Sequence, residues 1–298
     1  MGEPLVTVGL PVYNVERYVA KSIETLLQQT FTDFKILICD NASTDGTEAV
    51  CREWAARDPR IEYHRNPTNL GMAGNYNRSF ALARSKYFRW APADDYCSPD
   101  LLEDHVKVLE SDPTIALCYS QAWFVGEDGT PYELWKDELH LMQEDPVERF
   151  KAVITRIKRV HHHLGLMRAD CVRRTGGIQK HVSSDIAFVA EMSLLGKLYR
   201  IDEPQFFRRM HGDSSSWKTL DEQHQKRRYH ASNVNRVPFS RLRYHLNEMA
   251  VVRRSPALST AQRLDLLAFL ARRAGAEWRW LAGEARQELL RALRTRGA

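Results

Sequence analysis

Three acidic positions stand where a folded chain could put them to chemical use. Asp40 directly follows the apolar run from Phe34 to Cys39. A carboxylate there can accept a hydrogen bond from a nucleobase N–H or from its own loop as an Asx-turn, and taken alone it fits either role. Asp94 and Asp95 follow Trp90-Ala91-Pro92-Ala93. Adjacent carboxylates repel unless a cation or a sugar hydroxyl relieves them. Neighbouring side chains on extended backbone point opposite ways, so one can hold a metal while the other bonds a ribose. Two exposed loop acids are the plainer alternative. Asp185 follows Ser183-Ser184 at the head of a helical pattern, where an acid also simply complements the helix dipole. His211, in Arg208-Arg209-Met210-His211-Gly212, reads on its own as a loop histidine.

Other chemistries lack their residues. The chain has neither GxxxxGK[ST] nor GxGxxG, so a diphosphate would need a metal for charge neutralisation. An EF-hand over Asn41, Ser43, Asp45 and Gly46 fails, because Arg52 stands where a bidentate Glu is required. Asp45, with Glu48 three residues on, reads as a helix cap. His161-His162-His163 are consecutive and so poorly placed to converge on one ion. No Gly-x-Ser-x-Gly elbow supports a serine triad. The five cysteines are scattered with no CxxC, which reads as buried thiols rather than a disulfide framework or zinc site.

The elements that must position these residues alternate. Strands are predicted over 6–11, 34–39, 61–64 and 87–90, and helices over 15–29, 45–57, 72–84 and 99–111. This βαβ rhythm implies a parallel sheet covered on both faces, with every strand's carboxyl end along one rim, where ligands bind. A strand over 115–119 and a less regular stretch anchored by Trp123 and Trp135 come next. A helix over 185–195 and two strands over 198–201 and 206–209 follow. From Pro238 onward the pattern is helical, with Leu264, Leu267, Leu270 and Ala271 on one face, then Trp278, Leu281 and Ala285.

The chain has 298 residues, 43% of them hydrophobic, enough for a buried core and against wholesale disorder. Its net charge is +5, and residues 236–298 carry 13 arginines, no lysine and 5 acids, so the basic surplus lies in the tail. Such a tail suits a solvated helix face or an anionic membrane. No nucleic-acid recognition motif accompanies it, and no nucleic acid is expected. No apolar run approaches ~20 residues and Met1–Thr7 lacks a signal-peptide pattern, so the chain reads as cytoplasmic.

Taken together, Val6-Thr7-Val8-Gly9-Leu10-Pro11-Val12-Tyr13-Asn14, the loop Asp40–Thr47, Asn69-Leu70-Gly71 with Asn77, and Ala93-Asp94-Asp95 resemble the inverting family 2 glycosyltransferases of GT-A fold. The resemblance continues through Ser184-Asp185 and Arg209 with His211 and covers roughly residues 5 to 217. It implies an α/β GT-A domain over residues 1–220 and a basic helical region over 221–298. The implied reaction moves one sugar from a nucleotide-diphosphate sugar to an acceptor hydroxyl by single displacement, with Mn2+ or Mg2+ as cofactor. By the resemblance, Pro11, Tyr13 and Asp40 hold the nucleobase and Asp94 contacts the ribose. Asp95 binds the metal, with His211 a further ligand, and Asp185 is the general base. Asn14, Asn69 and Asn77 match polar positions near the donor. The acceptor, a carbohydrate, lipid-linked or small molecule, would lie over residues 123–177, with Trp123, Phe124 and Trp135 as stacking or core residues. The C-terminal helices would dock on the catalytic domain, form a homodimer or touch a membrane peripherally.

The chain departs from the family pattern where Pro92 replaces an Asp, Ser184 a Glu and Tyr76 an Arg. It also lacks the QxxRW motif and membrane helices of processive synthases. A non-catalytic nucleotide-sugar-binding subunit is the alternative these departures leave. A nucleotidyltransferase would need a Gly-rich basic loop where Pro11-Val12-Tyr13-Asn14 stands.

Overall fold

A computed structural model describes residues 2–136, 138–181, 183–212 and 239–296. The expected domain boundary at 220/221 and the end of the resemblance at 217 lie outside the described residues.

The first half is the expected alternation: β1 (Val6–Val12), α1 (Val19–Leu27), β2 (Phe34–Asp40), α2 (Thr47–Arg57), β3 (Ile61–Arg65), α3 (Gly71–Leu82) and β4 (Tyr87–Trp90). Every residue of β1 and β4 is buried, the continuous apolar run of a strand covered on both faces. β1 lies between β2 and β4 and is parallel to both, with Val12 opposite Asp40 and Gly9 opposite Trp90. Pro11 is tolerated in this central strand because its missing N–H falls beyond Gly9, the last residue paired with β4. Gly9 has no room for a side chain, since a Cβ there would lie 2.7 Å from both Phe88 and the Ser79 hydroxyl.

The second half follows as β5 (Tyr96–Cys97), α4 (Leu101–Ser111), β6 (Ile115–Val125), β7 (Pro131–Trp135), α5 (Pro146–Arg156), a 3-10 turn (His162–Leu164), β8 (Leu166–Arg168), α6 (Ala169–Arg173), α7 (Ser184–Leu195) and β9 (Lys197–Arg209). One sheet runs β3-β2-β1-β4-β8-β6-β9-β5, with β7 a hairpin partner of β6. β6 pairs parallel with β9 and antiparallel with β7 and β8.

Several sequence expectations change here. β6 runs on through Val125 instead of stopping at Tyr119, and the two predicted strands after residue 197 are one, β9. Register shifts on either side of the Gln121–Pro204 pair absorb Asp202, Glu203 and Gln205. The irregular stretch contains α5, announced by Asp145, whose side chain accepts the Val147 N–H ahead of Pro146. Asp45 accepts the Thr47 N–H at 3.0 Å, but α2 is capped by Gly46 and no reciprocal box forms. Glu48 pairs instead with Arg52 and Arg65.

The tail forms α8 (Ser240–Arg254), α9 (Thr260–Ala276) and α10 (Trp278–Arg296). In α9 the inward residues are Leu266 and Leu270, while Leu264 and Ala271, expected on that face, are exposed. The stripe turns because α9 packs on α5 and α8, with Lys151 of α5 bonded to Asp265 at 2.8 Å. Among the described residues no helix is long and apolar enough to cross a membrane. All five cysteines are free thiols, and burial pushes Cys39 up to about 11 and Cys51 to about 12.

Candidate active site

The carboxyl ends of β1, β2 and β4 form a rim that carries Tyr13, Asp40 and Asp94 on three adjacent strands. Tyr13 is 44% exposed, as a ring that packs on a ligand must be. Asn14 accepts the Thr44 N–H at 2.8 Å and so joins the loop after β1 to the loop after β2.

Asp40 is fully buried and heavily engaged. Its Oδ1 accepts the Ser43 N–H at 2.8 Å, and its Oδ2 accepts Tyr63 Oη at 2.6 Å and Arg65 Nη1 at 2.8 Å. Of the two readings the sequence left open, the loop-turn bond is present. With no exposed surface, the carboxylate offers a ligand an acceptor only if one of these donors moves aside.

Beside it lies an amide network. Asn41 Nδ2 donates to Asn69 Oδ1 at 2.8 Å, and Asn41 Oδ1 accepts from Leu70 N and Asn66 Nδ2. Asn66 Nδ2 also donates to Asn75 Oδ1, and Asn75 Nδ2 donates to the Cys39 carbonyl at 2.8 Å. Asn69 thus holds the rim to the start of α3. Asn77 points elsewhere: its amide donates to the Ile178 carbonyl at 2.8 Å and accepts the Ile178 N–H at 2.9 Å, which ties α3 to the loop before α7.

Asp94 and Asp95 stand on a turn between β4 and β5, not on extended backbone, and take different partners. Asp94 is partly exposed, with Oδ2 3.0 Å from His211 Nε2. Asp95 is buried and its Oδ1 accepts the Arg209 N–H at 2.8 Å. Burial, and then the Asp94 charge, push its carboxyl well above the ordinary range. His211 is itself buried, its ring 4.7 Å from that of Tyr18, and Arg209 Nε donates to the Asp94 carbonyl. The end of β9 therefore clasps the acidic pair.

Asp185 sits in the first turn of α7, partly buried, with Oδ1 accepting the Ile186 N–H at 2.9 Å. Burial raises its pKa above the ordinary value of 3.8. Its link to the acidic pair is Tyr76, whose hydroxyl feels the charges of Asp94, Asp95 and Asp185 together with Arg208. Arg208 acts in the opposite sense on Asp95 and Asp185 and donates to the Val160 carbonyl at 2.7 Å. Two segments about ninety residues apart in sequence thus act electrostatically on the same tyrosine and respond to the same arginine.

Of the four described non-glycine residues with positive φ, three fall at these places and the fourth, Phe239, precedes α8. Asn14, Ala42 and Ser183, with φ of 50, 61 and 63 degrees, follow Tyr13, flank Asp40 and precede Asp185. Left-handed backbone costs roughly 1–2 kcal/mol outside glycine, and such strain collects at functional sites.

For a metal, Asp94, Asp95 and His211 supply the hard oxygen and imidazole donors that suit Mn2+ or Mg2+. Among the described residues no three His, Cys, Asp or Glu side chains form a group able to hold an ion. An ion of this kind is commonly bound by one or two carboxylates and completed by substrate phosphates, and the residues fit that arrangement. The histidine run is buried against Tyr119, and burial, then Arg208 and His162, depress His163 to about 3. Phe124 and Trp135 hold the Arg159 guanidinium 4.7 and 4.6 Å from their ring centres, which commits both to packing.

Sequence reasoning missed Asn41, Asn66 and Asn75, whose role is visible only once β2 and α3 are juxtaposed. It also missed Arg208, although the Arg208-Arg209 pair was in view.

This arrangement, a parallel α/β rim extended by a mixed second half, is that of the GT-A glycosyltransferases. Staphylococcus aureus TarS solved with UDP-GlcNAc superposes with a TM-score of 0.64 at 15% identity, covering 89% of this chain and 71% of that one. The mannosyltransferase PcManGT of Pyrobaculum calidifontis, solved with GDP-Man and Mn2+, gives 0.54 at 19% identity over 95% and 85%. Among sequences, an uncharacterized glycosyltransferase of Methanocaldococcus jannaschii is 34% identical over 52% of this chain and 54% of its own length. The chondroitin synthase of Pasteurella multocida is 28% identical over 74% of this chain and 22% of its own. The chain thus spans about half the length of the first relative and about a fifth of the second. The family model described as Glycosyl transferase family 2 matches residues 7–171, more than half of the chain. The protein belongs to glycosyltransferase family 2.

Proposed function

We propose that this glycosyltransferase moves one sugar from a nucleotide-diphosphate sugar to an acceptor hydroxyl with inversion, by a single displacement. The observation that carries the reading is the acidic pair Asp94-Asp95 beyond the carboxyl end of β4, clasped by His211 and Arg209 from the end of β9. TarS, solved with UDP-GlcNAc, and PcManGT, solved with GDP-Man, support a nucleotide-sugar donor.

In this reading Tyr13 packs on the base next to Pro11, and Asp40 accepts a base N–H in place of one of the donors it now holds. Asn14 and Asn69 hold the two loops that frame it. Asp94 contacts the ribose. Asp95, with His211 beside it, would hold Mn2+ or Mg2+, which supplies Lewis-acid neutralisation of the departing diphosphate. Asp185 takes the acceptor proton at Oδ2, the oxygen that does not accept the Ile186 N–H, and its raised pKa makes it a stronger base than an ordinary aspartate. Asn77 serves the site indirectly by fixing the loop before α7.

We assign residues 1–220 to catalysis and 221–298 to a helical extension. Trp278, Trp280, Leu289 and Leu290 are exposed on the arginine-rich α10, which supports a peripheral membrane contact or a homodimer there, with the protein in the cytoplasm. Liposome flotation and sedimentation decide between the two.

The primary test is a thermal-shift screen of UDP-, dTDP- and GDP-sugars with Mn2+ or Mg2+. A donor at 100 times its dissociation constant stabilises by about 2.7 kcal/mol. Metal-dependent stabilisation by one nucleotide, followed by product of inverted configuration with a sugar acceptor, is the expected result. A flat response to all donors would refute the reading.

A further inference from the structure

Among the described residues, α8 is joined to α7 by an ion pair. Arg254, the last residue of α8, donates from Nε and Nη2 to the two carboxylate oxygens of Glu191 at 2.8 and 2.7 Å. Glu191 lies in the middle of α7, its side chain 3% exposed. Its Oε2 also accepts the Gly176 N–H at 2.9 Å. The guanidinium fills the space a side chain at 176 would take, since a Cβ there would lie 2.5 Å from Nη2 and 2.9 Å from Cζ. The next residue, Gly177, has φ +63 and would place a Cβ 2.5 Å from Asn77 Oδ1. Residue 178 is then gripped through both its N–H and its carbonyl by Asn77. The turn at 176–178 is therefore held from α8, α7 and α3 at once, and it precedes α7, which begins at Ser184 with Asp185 next.

A buried carboxylate is a costly way to pack a helix. Apolar residues of similar volume usually serve stability as well or better, whereas removing one partner leaves an uncompensated charge. What the pair adds is direction, because a bidentate fork fixes both distance and orientation. We infer that Arg254, acting through Glu191 and the turn at 176–178, is a positioning residue that holds Asp185 against the acceptor. The helical extension thereby completes the acceptor half of the active site. The inference rests on Asp185 being the general base.

The test uses the full chain and the nucleotide diphosphate that gives the largest thermal shift. Arg254→Met is expected to lower kcat at least 10-fold while the nucleotide dissociation constant moves less than 2-fold. Amide exchange over 174–187 should rise at least 10-fold with that of β1 and β2 unchanged. Arg254→Lys, which keeps the charge but not the fork, should recover part of the rate. The double variant Glu191→Met with Arg254→Met removes the buried charge and folds without its penalty, yet should remain slow. Unchanged kcat in the double variant, or nucleotide affinity falling in step with kcat, would overturn the inference. Asp185→Asn, assayed in parallel, separates the two levels. Normal transfer there refutes the base assignment, whereas unaltered exchange over 174–187 in Arg254→Met refutes the clamp itself.

Discussion

The two sides of the site are held in opposite ways. On the donor side Asp40 receives three hydrogen bonds from its own protein, and an asparagine network pins the loops around it before any ligand arrives. On the acceptor side Asp185 accepts at Oδ1 from the next residue's N–H, is partly buried, and has its pKa raised by that burial. Binding profits from a frame that is already satisfied, since little ordering cost remains when the ligand enters. Proton transfer needs the reverse, a carboxylate left short of donors so that its basicity survives. The strained residues Asn14 and Ala42 stand on loops that are already hydrogen-bonded, while Ser183 stands two residues before Asp185, the base proposed above.

The contrast breaks most visibly at Asp185. Asp185→Asn should lower transfer about 100- to 10,000-fold with nucleotide affinity retained, measured by initial rates and calorimetry. Asp95→Ala should instead abolish metal-dependent donor binding, and calorimetry with unchanged affinity would remove Asp95 from that role. On the donor side, Asn75→Ala strands the Cys39 carbonyl and Asn66 and should cost about 1–3 kcal/mol, read as a lower denaturation midpoint. Tyr13→Ala should weaken nucleotide binding by about 1 kcal/mol, from the lost stacking, and leave stability unchanged.

The smallest effect sharpens the contrast by its sign. Asp185 has a folded pKa above its ordinary 3.8, so the folded protein holds this proton more tightly than the unfolded chain. Its stabilising contribution is therefore present below the ordinary value and is lost as pH rises through the folded one. Asp185→Asn should melt roughly 2 °C higher than the parent at neutral pH, with the gain vanishing below the unperturbed range. In the parent, transfer should fall as acid protonates Asp185, with the acid limb above that same range.

Legibility in the sequence followed locality. The first four strands and their helices were readable because each is a short apolar run or a helical stretch bounded by polar loops. The rim positions of Asp40 and Asp94 came with them. Asp185 was placed through its neighbours in the resemblance. β6 and β9 were misjudged because their length depends on pairing with each other, and Asp202-Glu203-Pro204 reads locally as a break although a bulge carries the strand through. Asn77 matched a donor-side position, yet its bonds go to residue 178, about a hundred residues on. Arg208 and Glu191 were illegible for the same reason, since their meaning depends on charges brought near only by the fold.

The ion pair between α7 and α8 bears on how this enzyme can be shortened. A catalytic fragment ending before residue 239 would look natural, since the family match closes at residue 171. It would strand Glu191 inside the protein without its cation and strip Val251 and Val252, 2% and 0% exposed, from the core they fill. Domain exchange within this lineage should therefore carry α7 and α8 together as one transplantable unit.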